Sequence, residues 1–146
     1  MYQKLAAKRV RRAIDPDEYA ASGTEHSQQT ALFMWACSPD NPYVELLKWM
    51  HAIPNGGKRS QATAAILKAE GVKRGIGDVF LPLARGDYHG LYLEMKRPRT
   101  SKRQAGTTSD VQDDFKAYCH ANLFGYAVCY TYADAKAMII SYVNHA

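Results

Sequence analysis

Apolar positions along the chain fall into four stretches of helical spacing and four of strand character. Leu32, Phe33, Trp35 and Ala36 form the apolar part of a helix over about 23–37. Ser22 with Glu25 three positions on makes a capping box at its start, and Ser38-Pro39 stops it. Trp49 to Ile53, ahead of Pro54, reads as a strand, and Asn55-Gly56-Gly57 as a turn. A second helix spans about 60–70, capped by Ser60 and closed by Gly71. Asp78–Ala84 and Tyr88–Lys96 read as a hairpin turning at Arg85-Gly86-Asp87. In its second strand Leu91, Leu93 and Met95 share one face, and Tyr92, Glu94 and Lys96 the other. A third helix starts at Ser109, carries Val111, Phe115, Tyr118 and Cys119 as its core stripe and ends at Gly125. A strand over Tyr126–Thr131 and a helix over Ala133–Val143 complete the chain. Helices and strands interspersed in this order predict an α/β fold, a mixed sheet flanked by helices.

The chain has 146 residues, room for one domain with its own core. Charges interrupt every apolar run well short of a membrane span. Met1 to Arg12 is basic with no apolar stretch behind it, so no secretory signal is expected. Three cysteines without C-x-x-C spacing suit reduced thiols and a cytoplasmic setting. The five histidines show no zinc spacing, and His51 in an apolar strand reads as a core residue.

The net charge of +5 is unevenly spread. Lys4, Lys8, Arg9, Arg11 and Arg12 crowd the first twelve residues, and Lys96, Arg97, Arg99, Lys102 and Arg103 crowd 96–103, with no acid in either run. Smaller pairs stand at Lys58-Arg59 and Lys73-Arg74. Each run alone is explained by a solvated tail or loop; together they suit a polyanion such as nucleic acid. Residues 1–21 read as a basic N-terminal arm, with any short helix ending near Asp15-Pro16, and 22–146 as the domain.

Chemistry gathers on the hairpin. Folding it about Asp87 sets Asp78 opposite roughly Lys96 and near Glu94. Two carboxylates are hard ligands for Mg2+ or Mn2+. A lysine beside them orients a water, which the metal acidifies while it neutralises phosphoryl charge. A solvent-facing Glu94–Lys96 pair explains the same spacing and carries little energy.

The neighbouring residues add a likeness. Glu25-His26-Ser27-Gln28-Gln29, Ile53-Pro54-Asn55-Gly56-Gly57-Lys58-Arg59, Gly75-Ile76-Gly77-Asp78 through Pro82, Gly90 to Lys96, and Ser109-Asp110-Val111-Gln112 through Phe115 follow in order over about 24–132. Together they resemble the VRR-Nuc (virus-type replication-repair nuclease) family of the PD-(D/E)XK superfamily, in its stand-alone form. The resemblance implies a restriction-endonuclease-like α/β core. Asp78 and Glu94 would be the main metal ligands, joined by Glu25 and the main-chain carbonyl of Met95. Lys96 would position the attacking water, and Gln112 would lie beside it; Glu25 and Gln112 also fit capping-box positions. Asn55, Gly56, Gly57, Lys58 and Arg59 would lie near the phosphate, although a tight turn explains the glycines as well. Apart from the resemblance, the clustered charge assigns Arg97, Arg99, Lys102 and Arg103 to nucleic-acid binding.

The implied activity is a Mg2+- or Mn2+-dependent DNA endonuclease preferring branched DNA such as Holliday junctions or flaps. Paired incision of a junction implies a homodimer, for which Ala137, Met138, Ile139, Ile140, Tyr142 and Val143 offer spare apolar surface. The alternatives are a less selective DNase or nickase and a non-catalytic nucleic-acid-binding module on the same fold.

Overall fold

The structure is a computed structural model describing residues 13–55 and 57–146. The basic run Lys4–Arg12 and Gly56 lie outside the described residues. The elements are α1 (Pro16–Ala20), α2 (Glu25–Ala36), β1 (His51–Ala52), α3 (Gln61–Ala69), β2 (Val79–Leu81), β3 (Leu91–Met95), α4 (Asp110–Ala121), β4 (Gly125–Cys129) and α5 (Tyr132–Val143). The four strands form one mixed sheet in the order β1-β2-β3-β4. β1, β2 and β3 pair antiparallel, and β4 returns parallel to β3 through α4.

The strand alternation decides the layers. Leu91, Leu93 and Met95 join Val79, Leu81 and Cys129 beneath α2 and α5, where Ala31, Leu32 and Ile139 are fully enclosed. The opposite face carries an aromatic layer. Phe80 stacks on Tyr92 at 4.3 Å, and Phe115 of α4 meets Tyr92 edge-on at 5.0 Å. Glu94 and Lys96, at the end of that face, pass beyond the aromatics toward the N-terminus of α4.

Several boundaries depart from the sequence pattern. Asp15-Pro16 starts a helix instead of ending one: the Asp15 carboxylate accepts the Asp17 N–H, and proline stands in the first turn, where its missing donor is not needed. α1 then docks on α2, with Gln28 Nε2 donating to the Ala20 carbonyl at 2.7 Å, so part of the expected arm belongs to the folded body. The cap of α2 is Thr24, not Ser22, and its reciprocal partner is Ser27. Strand β1 holds only two residues, and both Trp49 (74% exposed) and His51 lie on the surface, not in the core. Val44–Trp49 closes into turns, through bonds such as Leu47 N–H to the Tyr43 carbonyl, and leaves no ladder for Trp49 to join. On α4 only Cys119 is buried; Val111 and Tyr118 are exposed, because the helix meets the sheet along a narrower stripe than its apolar residues suggest. That helix ends at Asn122 and the left-handed Leu123, before Gly125, which opens β4. On α5, Ile139, Tyr142 and Val143 are spent on the chain's own core, leaving Ala137 and Met138 exposed.

Candidate active site

The loop before β2 positions Asp78. Gly75 and Gly77 both take positive φ (81° and 83°), which L side chains rarely adopt. A Cβ on Gly75 would come within 2.7 Å of Val111 Cγ1, so glycine also lets this loop close onto α4. Asp78 is then held from both sides. Its N–H donates to the Leu93 carbonyl (2.9 Å), its carbonyl accepts the Ile53 N–H (2.7 Å), and its Oδ2 accepts the Met95 N–H (2.8 Å). These partners bracket Glu94. The hairpin turns about Gly86 rather than Asp87, as Val79 pairs with Leu93, so Asp78 stands abreast of Glu94 and not of Lys96. The two carboxyl groups lie within hydrogen-bonding reach of each other.

Glu94, Lys96 and Gln112 form a closed polar ring. Lys96 Nζ lies 2.8 Å from Glu94 Oε1 and donates to Gln112 Oε1 at 2.9 Å, while Gln112 Nε2 donates to Glu94 Oε1. Gln112 also completes the capping box of α4, its Oε1 accepting the Ser109 N–H at 2.9 Å. The two roles expected separately for this residue coexist in one side chain. Lys96 is only 9% exposed, so its ammonium is fixed rather than solvated. The solvent-facing pair is thereby excluded.

Glu25 opens α2 and reaches the same centre. The Thr24–Ser27 box performs the capping, which leaves the Glu25 carboxylate facing the Arg97 N–H and the charge of Asp78. All three carboxyls are pushed above their ordinary range. Burial is the largest cause for each, and mutual repulsion adds to it for Glu25 and Glu94. Lys96 opposes the rise at all three.

These groups line a cleft of about 360 Å3 that also takes in Arg74, Ser109 and Val111. Arg74 stands out in the sequence only as half of a basic pair; its place at the cleft follows from the Gly75 turn. Asn55 lies at the cleft wall, its Nδ2 donating to the Gly77 carbonyl at 2.6 Å and its Oδ1 buried without a partner. The Tyr126 hydroxyl is likewise buried and unpartnered; burial and the Glu94 charge hold its pKa well above the usual phenol range. No sequence signal singles out Tyr126, because its proximity to Glu94 depends on the β3–β4 register.

The donor set suits a hard divalent cation. Three carboxyls raised by burial, two of them also by a neighbouring carboxylate, would be relieved by a cation, and the unpartnered Asn55 Oδ1 is free to accept from a hydrating water. Among the described residues no three His, Cys, Asp or Glu side chains form a ready-made metal cage. Met95 has its side chain in the core and its N–H on Asp78.

The basic residues divide. Arg97 is committed to the Gln104 carbonyl through Nε and Nη2, and Arg59 to the Pro54 carbonyl at 2.8 Å. Gly57 (φ 104°) shapes the loop beside them. Lys58, Arg99, Lys102 and Arg103 are exposed. The last three ride a turn closed by the Thr100–Arg103 bridge.

With the fold and cleft defined, the chain is of the mixed α/β class, a four-stranded sheet flanked by helices. Among solved structures it is similar to one described as a "VRR_NUC domain protein", with a TM-score of 0.64 and 24% sequence identity over 82% of this chain and 88% of that one. At that identity the likeness is one of fold. No family model and no curated protein matches the chain. Among the described residues no helix is long and apolar enough to cross a membrane.

Proposed function

We propose that this protein is a metal-dependent DNA endonuclease that hydrolyses phosphodiester bonds, with branched DNA as its substrate. The reading is carried by one observation: Asp78, Glu94, Lys96 and Gln112 are tied together at the wall of a single open cleft. A bound Mg2+ or Mn2+ would be held by Asp78 and Glu94, with Glu25 beside them, and would supply an acidified water and neutralise phosphoryl charge. Lys96, immobilised between Glu94 and Gln112, would orient the attacking water and offset negative charge in the transition state. Gln112 holds the lysine in its rotamer. Asn55 fixes the Gly77 carbonyl just before Asp78 and presents its free Oδ1 to a water of the site. The concentration of buried hydrogen bonds and raised carboxyl pKa values in one cleft supports catalysis over a purely binding role.

Paired incision requires two such centres, and a homodimer provides them. The edge strand β4 supports this pairing: Tyr118 on α4, Tyr130 just past β4 and Met138 on α5 are exposed. The test is cleavage of a synthetic four-way junction, a flap and a linear duplex with Mg2+, Mn2+ or EDTA. The expected result is metal-dependent cutting of the branched substrates, with both junction strands cut in one binding event. Failure to cut any substrate with either metal overturns the nuclease reading, and single cuts per bound junction overturn the dimer.

Exposed cations contribute to affinity through released counter-ions. Replacing Arg99, Lys102 and Arg103 together by glutamine is expected to lower the slope of log K against log salt on duplex DNA by roughly 0.9 for each phosphate that is no longer neutralised. Arg97 and Arg59 are left in place because their guanidinium groups hold loops. An unchanged slope in a fluorescence-anisotropy titration assigns the three side chains to solvent.

A further inference from the structure

The cleft continues past the carboxylates. It opens into a second hollow of about 490 Å3 between α2 and the segment leaving β1, and the two share Glu25, Asn55 and Asp78. α2 presents one face to this hollow: His26, Gln29, Thr30 and Phe33 recur at helical spacing. Ile53 and Pro54 line it as well. Its size falls within the roughly 300–1,000 Å3 of pockets that enclose small organic ligands.

We propose that this hollow is a nucleoside subsite, taking the base and sugar of one nucleotide next to the scissile phosphate, turned out of the helical stack. The inference rests on the nuclease reading and adds the part of the substrate that this region recognises. Three observations carry it. The hollow is continuous with the carboxylate centre, so a phosphate held there places a flanking nucleoside at its mouth. Its lining combines apolar surface suited to a base face (Phe33, Ile53, Pro54) with polar side chains that have no hydrogen-bond partner among the described residues (His26, Gln29, Thr30). Its lining contains no lysine or arginine and includes two carboxylates, Glu25 and Asp78, which disfavours a phosphate track or an acidic peptide.

A base within intact duplex is paired and stacked and cannot enter. Extrusion costs least where the nucleotide is already unpaired, as at a branch point or flap. A subsite of this kind therefore favours branched DNA through the ease of turning one nucleotide out. It does so without reading sequence in a groove.

The test uses junction or flap substrates in which nucleotides on either side of the mapped cut are replaced, one at a time, by abasic residues. Wild-type protein is expected to lose roughly 10-fold or more in kcat/KM at one flanking position and little at the others. In the Gln29→Ala/Thr30→Val variant the intact substrate is expected to fall toward the abasic one, so the penalty shrinks. Because the abasic arm alters only the DNA, misfolding of a variant does not decide the result. If wild-type protein cuts intact and abasic substrates equally at every flanking position, the subsite is overturned and the nuclease reading stands. If it cuts neither with Mg2+ or Mn2+, the nuclease reading fails and the subsite with it.

Discussion

Asp78→Asn is expected to lower DNA cleavage by at least about 10^3-fold and, without metal at neutral pH, to make the protein more stable than wild type. The amide keeps an oxygen for the Met95 N–H, so the local backbone is undisturbed. What it removes is a charge that burial disfavours and that lies against Glu94 and Glu25. The folded Asp78 carboxyl has a raised pKa, so between its ordinary and raised values the native state binds more protons than the unfolded chain. Its contribution to stability therefore falls as pH rises through that window, starting near pH 4. Thermal melts from pH 4 to 8 in EDTA should show a steeper decline for wild type than for Asp78→Asn. The variant should melt above wild type at neutral pH in EDTA. Millimolar Mg2+ should raise the wild-type melting temperature more than that of the variant. Full cleavage by Asp78→Asn removes this residue from the reaction.

Lys96→Met is expected to abolish most cleavage, by roughly 10^2- to 10^3-fold, and to destabilise the fold by about 3–5 kcal/mol. Methionine matches the length of the lysine stem but leaves Glu94, 4% exposed at its side chain, with no counter-ion. Lys96 is also what opposes the rise in the Glu94 pKa, through a hydrogen bond and through charge. Its loss pushes that carboxyl further up, so residual activity shifts to higher pH. Lys96→Arg keeps the charge, but a planar fork does not fit the space between Glu94 and Gln112, and it should recover stability more than rate. Urea melts and pH–rate profiles of the two variants separate these effects. Near-wild-type turnover by Lys96→Met would falsify the assigned role.

The parts of the fold readable in the sequence are those settled within a few residues. Ser60 and Ser109 cap helices at the positions their neighbours dictate, and the Leu91–Met95 alternation places the core face of β3. Features decided by distant partners were less legible. Ser22 and Thr24 are both competent caps, and the choice fell to Thr24 because Ser27 completes its box. Trp49 looks like a core residue, but no strand long enough to bury it forms there. The hairpin register turned on one residue, Gly86 against Asp87, and that decides which side chain meets Asp78. At the site, hairpin spacing raised Asp78, Glu94 and Lys96 as candidates but suited a solvent-facing pair as well, and it was the family resemblance that weighted them. Glu25 and Gln112 carried only capping signals locally, and their second role came from the resemblance. Arg74, the unpartnered oxygen of Asn55 and the Tyr126 hydroxyl have no local signature, since each owes its environment to chain far away in sequence.

The double duty of Gln112 binds two processes together. The carbonyl oxygen that receives the Ser109 N–H at the start of α4 also receives Lys96, and the amide nitrogen beside it holds Glu94. Unwinding the first turn of α4 therefore releases the lysine, and a lysine drawn away loosens the helix start. In the reaction proposed above, the opening equilibrium of that single turn would set how often the lysine stands ready, and exchange of the Ser109 N–H, which Gln112 accepts, would report it.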